Sequence, residues 1–178
     1  MKLTMEKVNE MTRKQFVEQV GWVFEHSPWV AEHSFDEHPF QSLEQMYKSM
    51  VGHMYAANQS LQLQLLNAHP DLGTRIEVSP SSENEQKNAG LHQLTEVEFQ
   101  EFSVLNQTYI NKFGFPFILA VKGHDKSSIK ARMILRIEND VDSELETALK
   151  EVRKIVKFRL WELISDQYIE SKMAEEGA

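Results

Sequence analysis

The chain of 178 residues contains no cysteine. That excludes disulfides, thiolate metal sites and a cysteine nucleophile. Basic residues are in deficit: 19 Lys and Arg face 27 Asp and Glu, giving a formal net charge of -8 and a pI of about 5.4. Nucleic-acid binding needs clustered Lys and Arg, so no such partner is expected. Long apolar runs are missing as well. No segment approaches the roughly 20 apolar residues a membrane helix needs, and no apolar stretch follows Lys2 as a secretory leader would require. The C-terminal Glu175-Glu176-Gly177-Ala178 is not a Ser-Lys-Leu address. Asn-Gly and Asp-Gly hairpin turns are absent, and no segment sustains period-two alternation. What remains is a soluble, cytoplasmic chain with no membrane partner. Its 41% hydrophobic residues can fill one sizeable core, and its length suits one domain.

Helix signals dominate what is present. Thr12-x-x-Gln15 reads as a capping box, followed by Phe16, Val17, Val20 and Val23 on one face. Ser27-Pro28 is a cap and first-turn pair ahead of Trp29 and Val30. Ser42-x-x-Gln45 opens a helix with Leu43, Met46, Met50 and Met54 at helical spacing, and Leu61, Leu65 and Leu66 continue the pattern toward Pro70. Thr95-x-x-Glu98 starts another, with Phe99, Phe102, Leu105 and Tyr109 on one face and Gly114 as its C-cap. Ile129, Met133, Ile134 and Ile137 mark the next, and a long last helix begins near Asp142 or Ser143. The expected fold is all-α: one helical domain of about seven or eight helices over residues 1–170, with a polar tail at 171–178.

Four features break the helical pattern. His69 stands in Asn67-Ala68-His69-Pro70-Asp71-Leu72-Gly73. Its unperturbed pKa of roughly 6.5 suits proton transfer near neutrality. Pro70 biases the residue before it toward extended geometry, so His69 leaves its helix in a defined direction, as a placed acid or base would. Arg159 completes an otherwise apolar stripe of Leu145, Leu149, Val152, Val156 and Leu163. A guanidinium there wants an anion, either an internal glutamate or a ligand. Ser82-x-x-Glu85 reads as a capping box whose free N–H groups also suit an anionic ligand, and Gln86 and Gly90 are not explained by a cap. Gly114 through Val121 is an apolar segment opened by glycine and proline. It is either a buried connector or a pocket wall whose backbone groups address a polar ligand.

Three Glu-His pairs, ending at His26, His33 and His38, invite a metal. Pro28 and Pro39 interrupt the segment, so the histidines share no helical face, and no metal site is expected.

Taken together these segments resemble the cofactor-independent 2-oxo-4-hydroxy-4-carboxy-5-ureidoimidazoline (OHCU) decarboxylases. The likeness runs from Phe24-Glu25-His26-Ser27-Pro28-Trp29-Val30 through His69-Pro70-Asp71-Leu72-Gly73 and Ser82-x-x-Glu85-Gln86-x-x-Ala89-Gly90-Leu91. It continues with Leu105-Asn106-x-x-Tyr109 and with Lys112-Phe113-Gly114 through Val121, and ends at Phe158-Arg159-Leu160. The resemblance implies an all-helical homodimer that needs no cofactor and forms (S)-allantoin from a small ureidoimidazoline. It makes His69 the catalytic histidine and Pro70 part of its pocket. Ser82, Glu85 and Gln86 would bind the ureido and ring groups. The backbone of Phe117, Ile118, Leu119, Ala120 and Val121 would line the site, and Arg159 would hold the anionic substrate, which weighs against an internal salt bridge for it. The competing classes are a metal-dependent hydrolase or oxygenase built on the Glu-His pairs, and a non-catalytic ureide-binding helical module.

Overall fold

Side-chain caps start three helices where the sequence predicts them, but not the helix after Pro28, where the Ser27 hydroxyl donates to the Glu25 carbonyl at 3.0 Å instead of capping. Thr12 and Gln15 form a reciprocal capping box on α2 (Arg13–Val20), as do Thr95 and Glu98 on α7 (Glu96–Phe113). Ser42 accepts from the Gln45 N–H at the start of α4 (Leu43–Ala56). Asp140 accepts from the Ser143 N–H at 2.9 Å and so starts α9 (Val141–Leu163).

The computed structural model describes residues 2–74 and 78–165. Nine α-helices occur among them, beside a parallel pairing of β1 (Leu3–Thr4) with β2 (Ile164–Ser165). The fold is all-α, as expected. The count exceeds seven or eight for two physical reasons. The one-turn α1 (Met5–Asn9) is too short for an apolar period, and Ala57–Asn58 divides what reads as one continuous pattern into α4 and α5 (Gln59–Asn67). The polar tail expected at 171–178 lies outside the described residues. No described helix is long and apolar enough to cross a membrane.

The chain divides into two compact units. The first joins residues up to Asn58 to those from Arg153 on. It holds α1, α2, α3 (Trp29–Ser34) and α4, packed around Val8, Phe16, Val20, Phe24, Leu43, Met46, Met50 and Met54, all fully buried. Asn9 ties the loop before α4 into this core, donating to the Phe40 carbonyl at 2.8 Å and accepting from the Phe40 N–H at 2.9 Å.

The second unit, Gln59–Val152, holds α5, α6 (Pro80–Asn88), α7, α8 (Lys126–Ile137) and the residues of α9 up to Val152. Leu65, Leu66, Phe102, Tyr109, Phe115, Phe117, Ile129 and Met133 are its core. Gly114, at φ +78°, closes α7 in the left-handed conformation that glycine adopts most cheaply. The chain then runs through Phe115–Val121, every residue buried and none in a helix or strand.

Candidate active site

His69 sits just past the end of α5 with 9% of its surface exposed. Its Nδ1 lies 2.9 Å from the Leu65 carbonyl oxygen, one helical turn back. A carbonyl only accepts, so Nδ1 carries the hydrogen and the neutral ring has its lone pair at Nε2. That arrangement suits an acid/base held in one tautomer.

The turn after Pro70 is pinned from two helices. Gln86 on α6 accepts from the Gly73 N–H at 3.0 Å and donates to the Asp71 carbonyl at 3.3 Å. Asn106 on α7 donates to the Leu72 carbonyl at 2.9 Å. Gly73 has φ +70°, and a Cβ built there would lie 2.9 Å from Leu94 Cδ1 and 3.2 Å from the Phe102 ring. Only glycine fits. The half-buried carboxyl of Asp71 is pushed above its ordinary range by desolvation.

The reading of Ser82-x-x-Glu85 as a capping box is corrected. The helix starts earlier: Ser79 is the N-cap, accepting from the Ser82 N–H at 3.3 Å, with Pro80 in the first turn. Ser followed by Pro combines a side-chain acceptor with a preset φ, a stronger start than Ser82 could make. Ser82, Glu85 and Gln86 therefore lie inside α6, where spacings of three and four put them on one face. Ser82 and Gln86 are buried and Glu85 is half-buried.

The segment Phe117–Val121 shows what a buried irregular strand requires. Its polar groups need partners, and buried charges supply two. Arg136 Nη1 donates to the Ile118 carbonyl at 2.7 Å, with the guanidinium 4.5 Å above the Phe117 ring. Glu151 accepts from the Ala120 N–H at 2.9 Å. Arg136 is itself paired with Glu144, through Nε at 2.7 Å and Nη2 at 2.5 Å. Glu144 also accepts from the Tyr109 hydroxyl and, at 2.8 Å, from Asn139. Burial and the adjacent Glu144 carboxylate drive the Tyr109 hydroxyl far above the ordinary phenol range.

Arg159 belongs to the first unit. It donates through Nη1 to Glu25 at 2.9 Å and to the Val23 carbonyl at 3.3 Å, and both members of the ion pair are almost fully buried. The internal salt bridge that the resemblance weighed against is thus present. His69, Pro70, Ser82, Glu85, Gln86 and Phe117–Val121 all belong to the second unit.

Of the Glu-His pairs, His26 Nε2 lies 3.9 Å from Glu25, while His53 meets Glu37 at 3.0 Å. Among the described residues no group of three His, Asp or Glu is placed to hold a metal ion.

Sequence reasoning did not single out Asn106, Arg136, Glu144 or Glu151 as site residues. The signal that drew attention to Arg159 was available for Asn106 and Arg136. Asn106 interrupts the stripe Phe102, Tyr109, Phe113, and Arg136 follows Ile129 and Met133 at helical spacing.

Residues 9–161 match the sequence profile of the family described as OHCU decarboxylase. The 2-oxo-4-hydroxy-4-carboxy-5-ureidoimidazoline decarboxylase of Halalkalicoccus jeotgali is 44% identical over 162 residues, covering 91% of this chain and 92% of that protein. The corresponding protein of Haloferax volcanii is 41% identical, covering 93% and 98%. The uric acid degradation bifunctional protein PucL of Bacillus subtilis is 42% identical across 92% of this chain, which spans only 33% of that longer protein. Among solved structures, the crystal structure of (S)-allantoin synthase is similar at a TM-score of 0.76 and 28% identity, over 92% of this chain and 54% of that one. The crystal structure of OHCU decarboxylase in the presence of (S)-allantoin is similar at 0.68 and 27%, over 80% and 96%.

Proposed function

This chain belongs to the OHCU decarboxylase family, and from that membership we propose that it converts OHCU to (S)-allantoin in urate degradation, without a cofactor and with His69 as proton donor. The observation that carries the reading is His69 itself. It is buried, held through Nδ1 by a backbone carbonyl, and followed by a turn pinned from two helices.

The substrate bears its carboxylate on a ring carbon next to a C=N bond. When the carbon–carboxylate bond breaks, carbon dioxide leaves and the electron pair is delocalised into that C=N bond. The ring supplies its own electron sink, so the protein needs to orient the substrate and deliver a proton. The imidazolium form of His69 gives its Nε2 proton to the carbon bearing the ureido arm, and the neighbouring hydroxyl becomes the ring carbonyl as its proton passes to the ring nitrogen that took up the electron pair. Delivery to one face makes one enantiomer. Ser82, Glu85 and Gln86 present a hydroxyl, a carboxylate and an amide from one helical face, matching urea N–H and C=O groups. Pro70 and the backbone of Phe117–Val121 line the pocket. Arg159, to which the family resemblance assigns the substrate's anionic groups, has its guanidinium fixed by Glu25.

A homodimer in the cytoplasm completes the proposal. Val97 and Val104 on α7, with Ile134 and Leu135 on α8, are large apolar side chains left exposed, and they support a second copy as the covering partner.

The deciding experiment makes OHCU in situ from urate with an upstream oxidase and hydrolase and follows allantoin by circular dichroism. The (S) enantiomer should appear faster than by spontaneous decay. His69→Asn should remove about 10²–10⁴-fold of the rate while the fold persists. Near-normal turnover would overturn the assignment of His69.

A further inference from the structure

We propose that Asn106 and Gln86 are positioning residues for His69, clamping three successive residues of the turn that follows it. Resting on the reading of His69 above, the inference adds what fixes that imidazole in place.

The clamp engages the Asp71 carbonyl, the Leu72 carbonyl and the Gly73 N–H in chain order, from two different helices. The chemistry fixes both amide orientations. A carbonyl can only accept and an N–H can only donate, so Gln86 must aim Nε2 at Asp71 and Oε1 at Gly73, and Asn106 must aim Nδ2 at Leu72. His69 is then held on both sides. Behind it, Nδ1 is tied to Leu65. Ahead of it, Pro70 links the residue directly to the clamped turn.

The ordinary explanation is that two amides satisfy a buried turn and nothing more. Asn106 argues against it. The side chain is 94% buried, since only 6% is exposed, and its Oδ1 meets no hydrogen-bond partner among the described residues. A buried acceptor left unmade is destabilising, so as a stability device the residue is a poor choice. The one bond it does make fixes the turn two residues beyond Pro70.

Gln86 carries a second consequence. The clamp uses one of its two N–H groups and one of its two carbonyl lone pairs. The same amide can therefore read a ureido arm while holding the turn, which couples substrate capture to the placement of His69. Changes at Gln86 should move KM and kcat together, whereas changes at Asn106 should act on kcat.

The test compares Asn106→Asp, which replaces the donor with a second acceptor facing the Leu72 carbonyl, and Asn106→Ser, too short to reach it. Each is assayed with in-situ OHCU, normalised to folded enzyme by its thermal transition. The clamp predicts kcat lower by about 10- to 100-fold with KM within about threefold of the parent in whichever variant folds. Unchanged kcat per folded molecule in a folded variant overturns it, as does a loss that lies wholly in KM. If neither variant folds, Asn106 is holding the fold, and the positioning role is likewise overturned. His69→Asn is run alongside. If that variant is fully active, the reading of His69 fails; if it is inactive while Asn106→Asp matches the parent, only the clamp fails.

Discussion

Arg159 and Glu25 form an ion pair at 2.9 Å with 3% and 2% of their side chains exposed. Two charges so far from water are stable only together: removing one partner from a buried pair costs about 3–5 kcal/mol, because the other is left uncompensated. Glu25→Gln should therefore lower the unfolding free energy by about that amount in a urea titration. Arg159→Lys should keep the charge but lose the planar, forked contact, raising KM for OHCU by about tenfold or more, a difference of about 1.4 kcal/mol. A KM unchanged in folded Arg159→Lys would leave Arg159 with a structural role.

This pair marks how far the sequence could be read. An arginine on an apolar stripe demands an anion, and periodicity alone located Arg159. Which anion it meets depends on Glu25, 134 residues away in the chain, and no local pattern encodes that distance. Helix starts were legible where a cap and its partner lie three residues apart, as at Thr12 and Thr95. Ser82 misled because Ser79-Pro80, just upstream, makes the better start. The α4–α5 break was hidden because the apolar spacing runs on across Ala57 and Asn58. The pinning of the His69 turn was not legible at all, since side-chain amides bonding to backbone leave no periodic trace.

Gly73 gives a sharp test of that turn. A left-handed φ costs an ordinary residue about 1–2 kcal/mol, and an added Cβ would also press on Leu94 at 2.9 Å and Phe102 at 3.2 Å. Gly73→Ala should lower the thermal midpoint, and the folded fraction should turn over OHCU more slowly, because the strain of a left-handed alanine falls on the turn that follows His69. A variant with wild-type melting and wild-type kcat would mean the turn adjusts freely.

Asp71 provides a prediction about pH. Desolvation raises its pKa above 3.8 in the folded protein, so between that ordinary value and the raised one the native state holds a proton the unfolded chain has released. Its contribution to stability is greatest below pH 3.8 and is lost as pH rises through the folded pKa. Asp71→Asn, which has no charge to desolvate, should gain stability relative to the parent as pH rises, levelling off near neutrality. Chemical denaturation at several pH values checks the sign. A difference that shrinks with rising pH would mean that Asp71 is stabilised as the anion.

The buried network behind Phe117–Val121 separates stability from positioning. Arg136 both neutralises Glu144 and donates to the Ile118 carbonyl. Arg136→Met alone should cost about 3–5 kcal/mol, since Glu144 is then buried without its cation. Adding Glu144→Leu and Tyr109→Phe removes the stranded carboxylate and the hydroxyl that donates to it. Replacing a whole buried ionic cluster with packed apolar groups is often neutral or better, so the triple variant should recover most of the lost stability. It cannot restore a donor to Ile118. If that bond fixes the pocket wall, the triple variant will melt near the parent yet keep a raised KM for OHCU. Recovery of both melting and KM together would show that Arg136 serves the core and that the wall holds its shape without it.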